Sequence, residues 1–271
     1  MKINLAFSPC PNDTFIFDAI VNKKIDTEGL EFNIILADIE QLNQWSFQNI
    51  YDVTKLSYFA YTRSCDNYKI LNTGSALGQG CGPILIKKPG TNITDESRVA
   101  IPGEYTTANF LLSVSYPNLK NKYSVVFSDI EKLVLDEKYD AGVIIHENRF
   151  TYKEKGLEKV QDLGEAWSVE TNLPIPLGGI AISRNLDEKT QHQVDRIIKR
   201  SLEYSINNNN ILSDYIKNNA QEIDEDIIKS HIDLYVNEFS LSLGDIGKSA
   251  INKVFEKLGI KHDDIYLDDV Y

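Results

Sequence analysis

The 271-residue chain has little of what most metal and cofactor chemistry requires. Its three cysteines, Cys10, Cys65 and Cys81, are odd in number and far apart, which fits neither a disulfide framework nor a CxxC zinc pair. Cys65 and Cys81 read as small buried hydrophobes. The four histidines, His146, His192, His231 and His262, are scattered and form no HExxH pair, so no metal site is expected. Neither a GxGxxG turn nor a GxxxxGK[ST] loop occurs. Gly78-Gln-Gly-Cys-Gly82 comes before a strand instead of opening a helix, the wrong context for holding phosphates. Basic residues are outnumbered, 28 Lys and Arg against 40 Asp and Glu, and the net charge of -12 repels nucleic acid and anionic membrane alike. There is no apolar run of about twenty residues, and MKINLAFSPCPNDT passes from a short apolar stretch straight into turn residues. Neither a membrane span nor a secretory signal is expected, and a cytoplasmic location follows as the expectation.

What is present is 42% apolar residues in a chain long enough for one large or two medium α/β domains. The most informative stretch is Ala141 to Phe150. Val143 to Ile145 reads as a buried strand that stops abruptly at His146, Glu147, Asn148 and Arg149. Ligands of α/β sheets bind beyond the carboxyl ends of strands, so His146 is placed facing a cleft. The plainer alternative is a histidine that caps the next helix or bonds a neighbouring carbonyl.

Other strand ends share this character. Lys2 to Phe7 alternates as a strand and breaks at Ser8-Pro-Cys-Pro-Asn-Asp-Thr14, a stiff corner leading into an apolar helix from Phe15. Such a corner directs free backbone N–H groups and the positive end of the helix dipole outward, which suits a carboxylate or phosphate. Asn12, Asp13 and Thr14 either contact ligand there or only cap. Cys10, between two prolines, reads as a packing and loop-shape residue, with a reactive thiol at a helix start as the other possibility. Tyr51 to Thr54 reads as a strand and Lys55 to Tyr61 as a helix, which puts Lys55 and Ser57 at their junction, a cation and a hydroxyl suited to a small acid. Arg98 to Ile101 is a strand that ends, through Thr106 and Thr107, in a helix from Ala108.

The polar loop Lys88 to Ser97 marks a change of domain, and the block after it carries its own βαβαβ pattern. The apolar alternation from Ile180 returns the chain to the first sheet, and the last third is helical: Asp187 to Asn207, Ile211 to Asn219, Asp224 to Tyr235 and Ser242 to Leu258. The expectation is a discontinuous first domain, residues 1–88 plus 174–271, with residues 89–173 inserted as the second. Such a two-lobed α/β chain has the architecture of type II periplasmic binding proteins, which close on small ligands by hinge motion. His192, His231 and His262 are assigned to the surface or to packing.

Taken together, SPCPNDTFIF (Ser8 to Phe17), TKLSY (Thr54 to Tyr58), LGQGCGP (Leu77 to Pro83), Tyr105-Thr-Thr, IIHENRFTY (Ile144 to Tyr152) and LPIPLGGI (Leu173 to Ile180) resemble the 1,4-dihydroxy-6-naphthoate synthase family of the futalosine route to menaquinone. The likeness runs over nearly the whole chain. It implies a carbon–carbon lyase on a binding-protein fold, acting on cyclic dehypoxanthinyl futalosine and releasing 1,4-dihydroxy-6-naphthoate and dihydroxyacetone, without cofactor. Carried over by position, the family's proton acceptor falls on His146, and its substrate contacts fall on Lys55, Leu56, Ser57, Thr106 and Thr107. The partner implied is a small carboxylated molecule. The sibling chorismate dehydratase of the same pathway and a non-catalytic solute-binding protein are the alternatives.

Overall fold

A computed structural model describes residues 1–208, 212–221 and 224–268. The chain opens with β1 (Lys2–Phe7), whose Ile3, Leu5 and Phe7 are buried in the principal core. Pro11 then starts α1 (Pro11–Val21) at the one helical position where the missing N–H costs nothing. Helix α1 is buried on almost every side, and Ser201 Oγ, from a helix far along the chain, donates to the Ile16 carbonyl at 2.7 Å. Next come β2 (Glu31–Leu36), α2 (Ile39–Phe47), capped by Asp38, and β3 (Val53–Ser57). Strands β2 and β3 flank β1 in parallel.

Strand β3 runs three residues beyond its expected end, and α3 (Tyr58–Ser64) begins only at Tyr58. The extension is tertiary in origin, since Val53 to Ser57 pair residue for residue with a strand more than a hundred residues later. Lys55 and Ser57 therefore lie in a strand and not at a helix start. The alternation of side chains then puts both on one face and Leu56 on the other. Two short strands follow, β4 (Tyr68–Ile70) and β5 (Ala76–Gly78), the latter ending where the glycine-rich Gly78–Gly82 segment begins.

The chain changes sheets between β5 and β6 (Ile84–Lys87), which pairs antiparallel with β9 (Ala141–Ile144) and β10 (Glu158–Asp162). The polar loop after Lys87 thus joins β6 to β7 (Val99–Ile101) within the second sheet, because exposure makes a loop polar whether or not it crosses between sheets. Helix α4 (Thr107–Ser115), β8 (Lys122–Ser124), α5 (Ile130–Leu135), α6 (Asn148–Thr151) and α7 (Leu163–Thr171) complete this part, with strand order β10-β6-β9-β7-β8. No strand was expected at β10. It is a polar edge strand with a bulge between Lys159 and Gln161, so it carries no apolar alternation to read.

Strand β11 (Ile175–Ser183) returns to the first sheet, whose order is β2-β1-β3-β11-β4 with β5 also on β11. The described helices that follow are α8 (Glu188–Asn207), α9 (Asp214–Asn219), α10 (Glu225–Tyr235), α11 (Glu238–Leu241) and α12 (Gly244–Lys257). Their starts fall close to the expected ones because Asp187, Ser213 and Asp224 cap as their residue types predict; residue 211, where the second of the expected helices was to begin, lies outside the described residues. Among the described tail residues Ile265 and Leu267 are buried, and Leu267 N donates to the Ile70 carbonyl at 2.8 Å. No described helix is long and apolar enough to cross a membrane.

Candidate active site between the two sheets

The ends of β1, β3, β7 and β9 converge on a cleft between the two sheets. Ser8, Asn12 and Asp13 line it from the first corner, Lys55 and Ser57 from β3, Thr106 and Thr107 from the start of α4, and His146 from the end of β9. Three separately read strand ends and the histidine are thus brought to one place. Two expected contacts are not in the lining. Thr14 is fully buried and turned back on its own helix, its Oγ1 donating to the carbonyls of Cys10 and Pro11. Leu56 lies on the opposite face of β3, packed with Tyr58, Tyr61 and Ile251.

The first corner is polar and buried. Asp13 Oδ1 lies 2.9 Å from Lys55 Nζ, and Asp13 Oδ2 accepts from Ser8 Oγ at 2.6 Å. Both charged side chains are at most 4% exposed, so the pair persists only because each charge is met by the other and by further partners. Lys55 Nζ also donates to the Gly74 carbonyl at 3.2 Å, and Asn12 Nδ2 donates to Asp13 Oδ1 at 2.8 Å. The charge of Lys55 is thereby spent on Asp13, and this corner presents no net cation to an acid.

The opposite wall differs. Thr106 caps α4, its Oγ1 accepting from Asn109 N at 3.2 Å, and the first turn contains no acidic residue. The first-turn N–H groups of Thr107 and Ala108 have no intrahelical carbonyl to take them, and both residues line the cleft. Thr107 Oγ1 donates to the Leu177 carbonyl at 2.7 Å and ties α4 to β11. Asn43 makes a second tie: its Nδ2 reaches Ser57 Oγ and the Tyr105 carbonyl, each at 3.2 Å, and its Oδ1 accepts from Ser57 N at 2.8 Å.

His146 follows the end of β9 with φ of 59°, in the left-handed region. A non-glycine residue holds that conformation where its surroundings over-determine it, a situation concentrated at functional sites. Its ring packs edge-on against Phe127, with centroids 4.8 Å apart, and its Nε2 lies 3.5 Å from Cys10 Sγ. Burial pushes the imidazole down to about 4, with Lys55 adding to the effect and Asp13 opposing it. The residue is half-buried and lines the cleft, and loss of solvation is the largest influence on it. His146 is accordingly neutral across the physiological range. Burial also holds the Cys10 thiol well above its usual value, assisted by Glu147 and Asp13, so sulfur keeps its proton.

The glycine-rich segment serves close packing. A Cβ on Gly164, at the start of α7, would come within 2.5 Å of the Cys81 and Gly82 backbone, and Arg149 donates from one guanidinium nitrogen to the Gly82 carbonyl at 2.6 Å. Of the histidines assigned to the background, His262 contacts Asp66 and His192 lies near Glu188, and neither lines the cleft. His231 does line it, together with Tyr235. The available signal was its position on α10, where Ile228, His231, Ile232 and Tyr235 form one buried stripe with a polar ring in its middle.

Two sheets with a ligand-sized cleft between them define a periplasmic-binding-protein-like α/β fold of type II. A Candida albicans protein described as having the generic periplasmic binding protein fold superposes with a TM-score of 0.70 at 12% identity, covering 98% of this chain and 93% of that one. The family described as menaquinone biosynthesis matches residues 3–259, and the chain belongs to it. A Thermus thermophilus relative named 1,4-dihydroxy-6-naphthoate synthase is 40% identical over 253 residues, 93% of this chain and 92% of its own. A Streptomyces coelicolor relative of the same name is 36% identical, over 92% and 90%. The crystal structure of protein AF1704 from Archaeoglobus fulgidus superposes with a TM-score of 0.88 at 34% identity, over 95% of this chain and 97% of that one.

Proposed function

We infer that this chain is a 1,4-dihydroxy-6-naphthoate synthase of menaquinone biosynthesis, a carbon–carbon lyase that converts cyclic dehypoxanthinyl futalosine to 1,4-dihydroxy-6-naphthoate and dihydroxyacetone. Supporting this reading are two relatives of that name, each matched over nine-tenths of its length. The structural observation that carries it is His146, a neutral imidazole in the cleft wall.

In this reading His146 is the general base. It takes a proton from carbon beside a carbonyl, and the electron pair left behind becomes an enolate. The carbon–carbon bond to the three-carbon fragment then breaks, its electron pair leaves with the fragment as a second enolate that takes up the proton removed earlier, and the remaining bicycle aromatises, which supplies driving force. The substrate carboxylate is assigned to the N-terminus of α4, with Thr106 and Thr107, because that helix end carries no acid in its first turn, whereas the α1 corner is already occupied by Asp13. Lys55 and Ser57 contact the polar part of the substrate from β3, and Asn12 and Asp13 hold that wall in place. The two sheets act as lobes joined at residues 79–83 and 172–174, where Gly80 and Asn172 take left-handed φ of 65° and 55°. The partner is a small carboxylated molecule, and the reaction is placed in the cytoplasm.

Incubating purified protein with cyclic dehypoxanthinyl futalosine, and in parallel with chorismate, tests this reading. Appearance of naphthoate absorbance only with the first substrate is expected. Turnover of chorismate alone, or of neither compound, overturns it.

A further inference from the structure

His231 is fully buried, lines the cleft, and stands with its ring centroid 6.0 Å from that of His146. Its Nε2 lies 2.9 Å from Asn12 Oδ1. Which nitrogen carries the proton follows from the groups behind Asn12. Asp13, paired with Lys55, offers only acceptors, so Asn12 must turn its NH2 toward Asp13 Oδ1, at 2.8 Å, and its carbonyl toward the imidazole. A carbonyl accepts, and Nε2 therefore bears the hydrogen. Burial, with His146 and Arg149 nearby, holds the ring far below its ordinary titration range, so it is neutral and Nδ1 is a bare lone pair. That Nδ1 is sealed from solvent and has no hydrogen-bond partner among the described residues. Buried acceptors without a partner are rare, and one on a residue that lines a ligand cleft takes its donor from a ligand that closes onto it.

We propose that His231 is a substrate-binding residue whose Nδ1 accepts a hydrogen bond from a hydroxyl of the bound molecule, and that Asn12 is the positioning residue that fixes the ring in this tautomer. The inference rests on the lyase reading for the identity of the hydroxyl. Since the His231 ring stands 6.0 Å from that of His146, the donor is assigned to the hydroxyl-bearing three-carbon part that is released, with the carboxylated end toward α4. An acceptor in this place selects a hydroxyl and rejects an anion or a carbonyl oxygen, so His231 determines specificity as well as orientation.

The two amide substitutions of histidine separate this role from a structural one. The Asn side chain of His231→Asn places its polar end where Nδ1 stands and loses the reach to Asn12. His231→Gln keeps the reach to Asn12 and has no acceptor near Nδ1. His231→Asn is expected to keep kcat/KM at least about tenfold above His231→Gln, although Gln preserves the Asn12 bond. Gln equal to or better than Asn assigns His231 to the packing of α1 against α10 and overturns the proposal. Nitrogen-15 spectra of the histidines in the unsubstituted protein give a second readout that needs no turnover and survives misfolding of either variant. A bare Nδ1 with a protonated Nε2 on His231 is expected, and the opposite tautomer overturns the proposal. Inactivity of the unsubstituted protein on cyclic dehypoxanthinyl futalosine removes the lyase reading instead, and the spectra still decide the tautomer.

Discussion

Cys10 and His146, 136 residues apart, meet with Sγ 3.5 Å from Nε2. One stands at the end of β1 in the first sheet and the other follows β9 in the second, so this contact forms only where the two sheets face each other. It fixes the ring that the proposed chemistry uses, and it gives Cys10 a partner across the cleft beyond its place in the corner.

Replacing His146 separates chemistry from fold. His146→Asn is expected to lower kcat by about 10² to 10⁴, the usual contribution of a placed general base, while ligand binding and the melting curve remain close to those of the parent. Asn tolerates the left-handed backbone better than Ala, so His146→Ala is expected to melt lower than His146→Asn while being equally inactive. Turnover near the parent's in either variant removes His146 from the mechanism.

The pH dependence follows from burial. The imidazole at about 4 is the base in its neutral form, and that form persists as pH falls through the ordinary histidine range. Activity as kcat/KM is expected to hold from pH 7 down to about 5 and to fall only as pH approaches 4. An acid limb centred at an unperturbed histidine value, about 6.5, would show that the ring is solvated in the working protein.

The Asp13–Lys55 pair governs stability as well as the shape of the cleft. Removing one partner, in Asp13→Asn or Lys55→Met, leaves a buried charge without compensation and is expected to cost about 3–5 kcal/mol. The double variant, in which neither charge remains, is expected to regain much of that stability without regaining activity, because the amide of Asp13→Asn keeps one acceptor oxygen where the carboxylate offered two, so Ser8 and Asn12 are no longer both held. Denaturant unfolding of the four proteins checks this as a double-mutant cycle, and additive losses would contradict it.

All three cysteines are buried, with their thiols pushed above the ordinary value chiefly by burial. Iodoacetamide at pH 7.5 or so is therefore expected to label none of them in the native protein and all of them after denaturation, as read by intact mass. Rapid native labelling of Cys10 would mark it as a reactive thiol and contradict the protonated state assigned to it.

The amino-acid sequence by itself determined whatever depends on near neighbours. Two prolines turn the chain at Ser8–Pro11 and start α1, Ile3, Leu5 and Phe7 make β1, and an apolar run that halts at His146 marks a strand end whatever surrounds it. Only the tertiary structure decided what depends on residues far away in the chain. Pairing with β11 lengthened β3 to Ser57 and sent Leu56 into the core, and pairing with β9 and β10 put β6 in the second sheet. His231 could be told from a packing histidine only once Asn12, 219 residues away, had taken its Nε2 and the cleft had opened beside the ring. The downward displacement of His146 had the same origin, for the sequence names the ionisable group and the fold alone sets how much water reaches it.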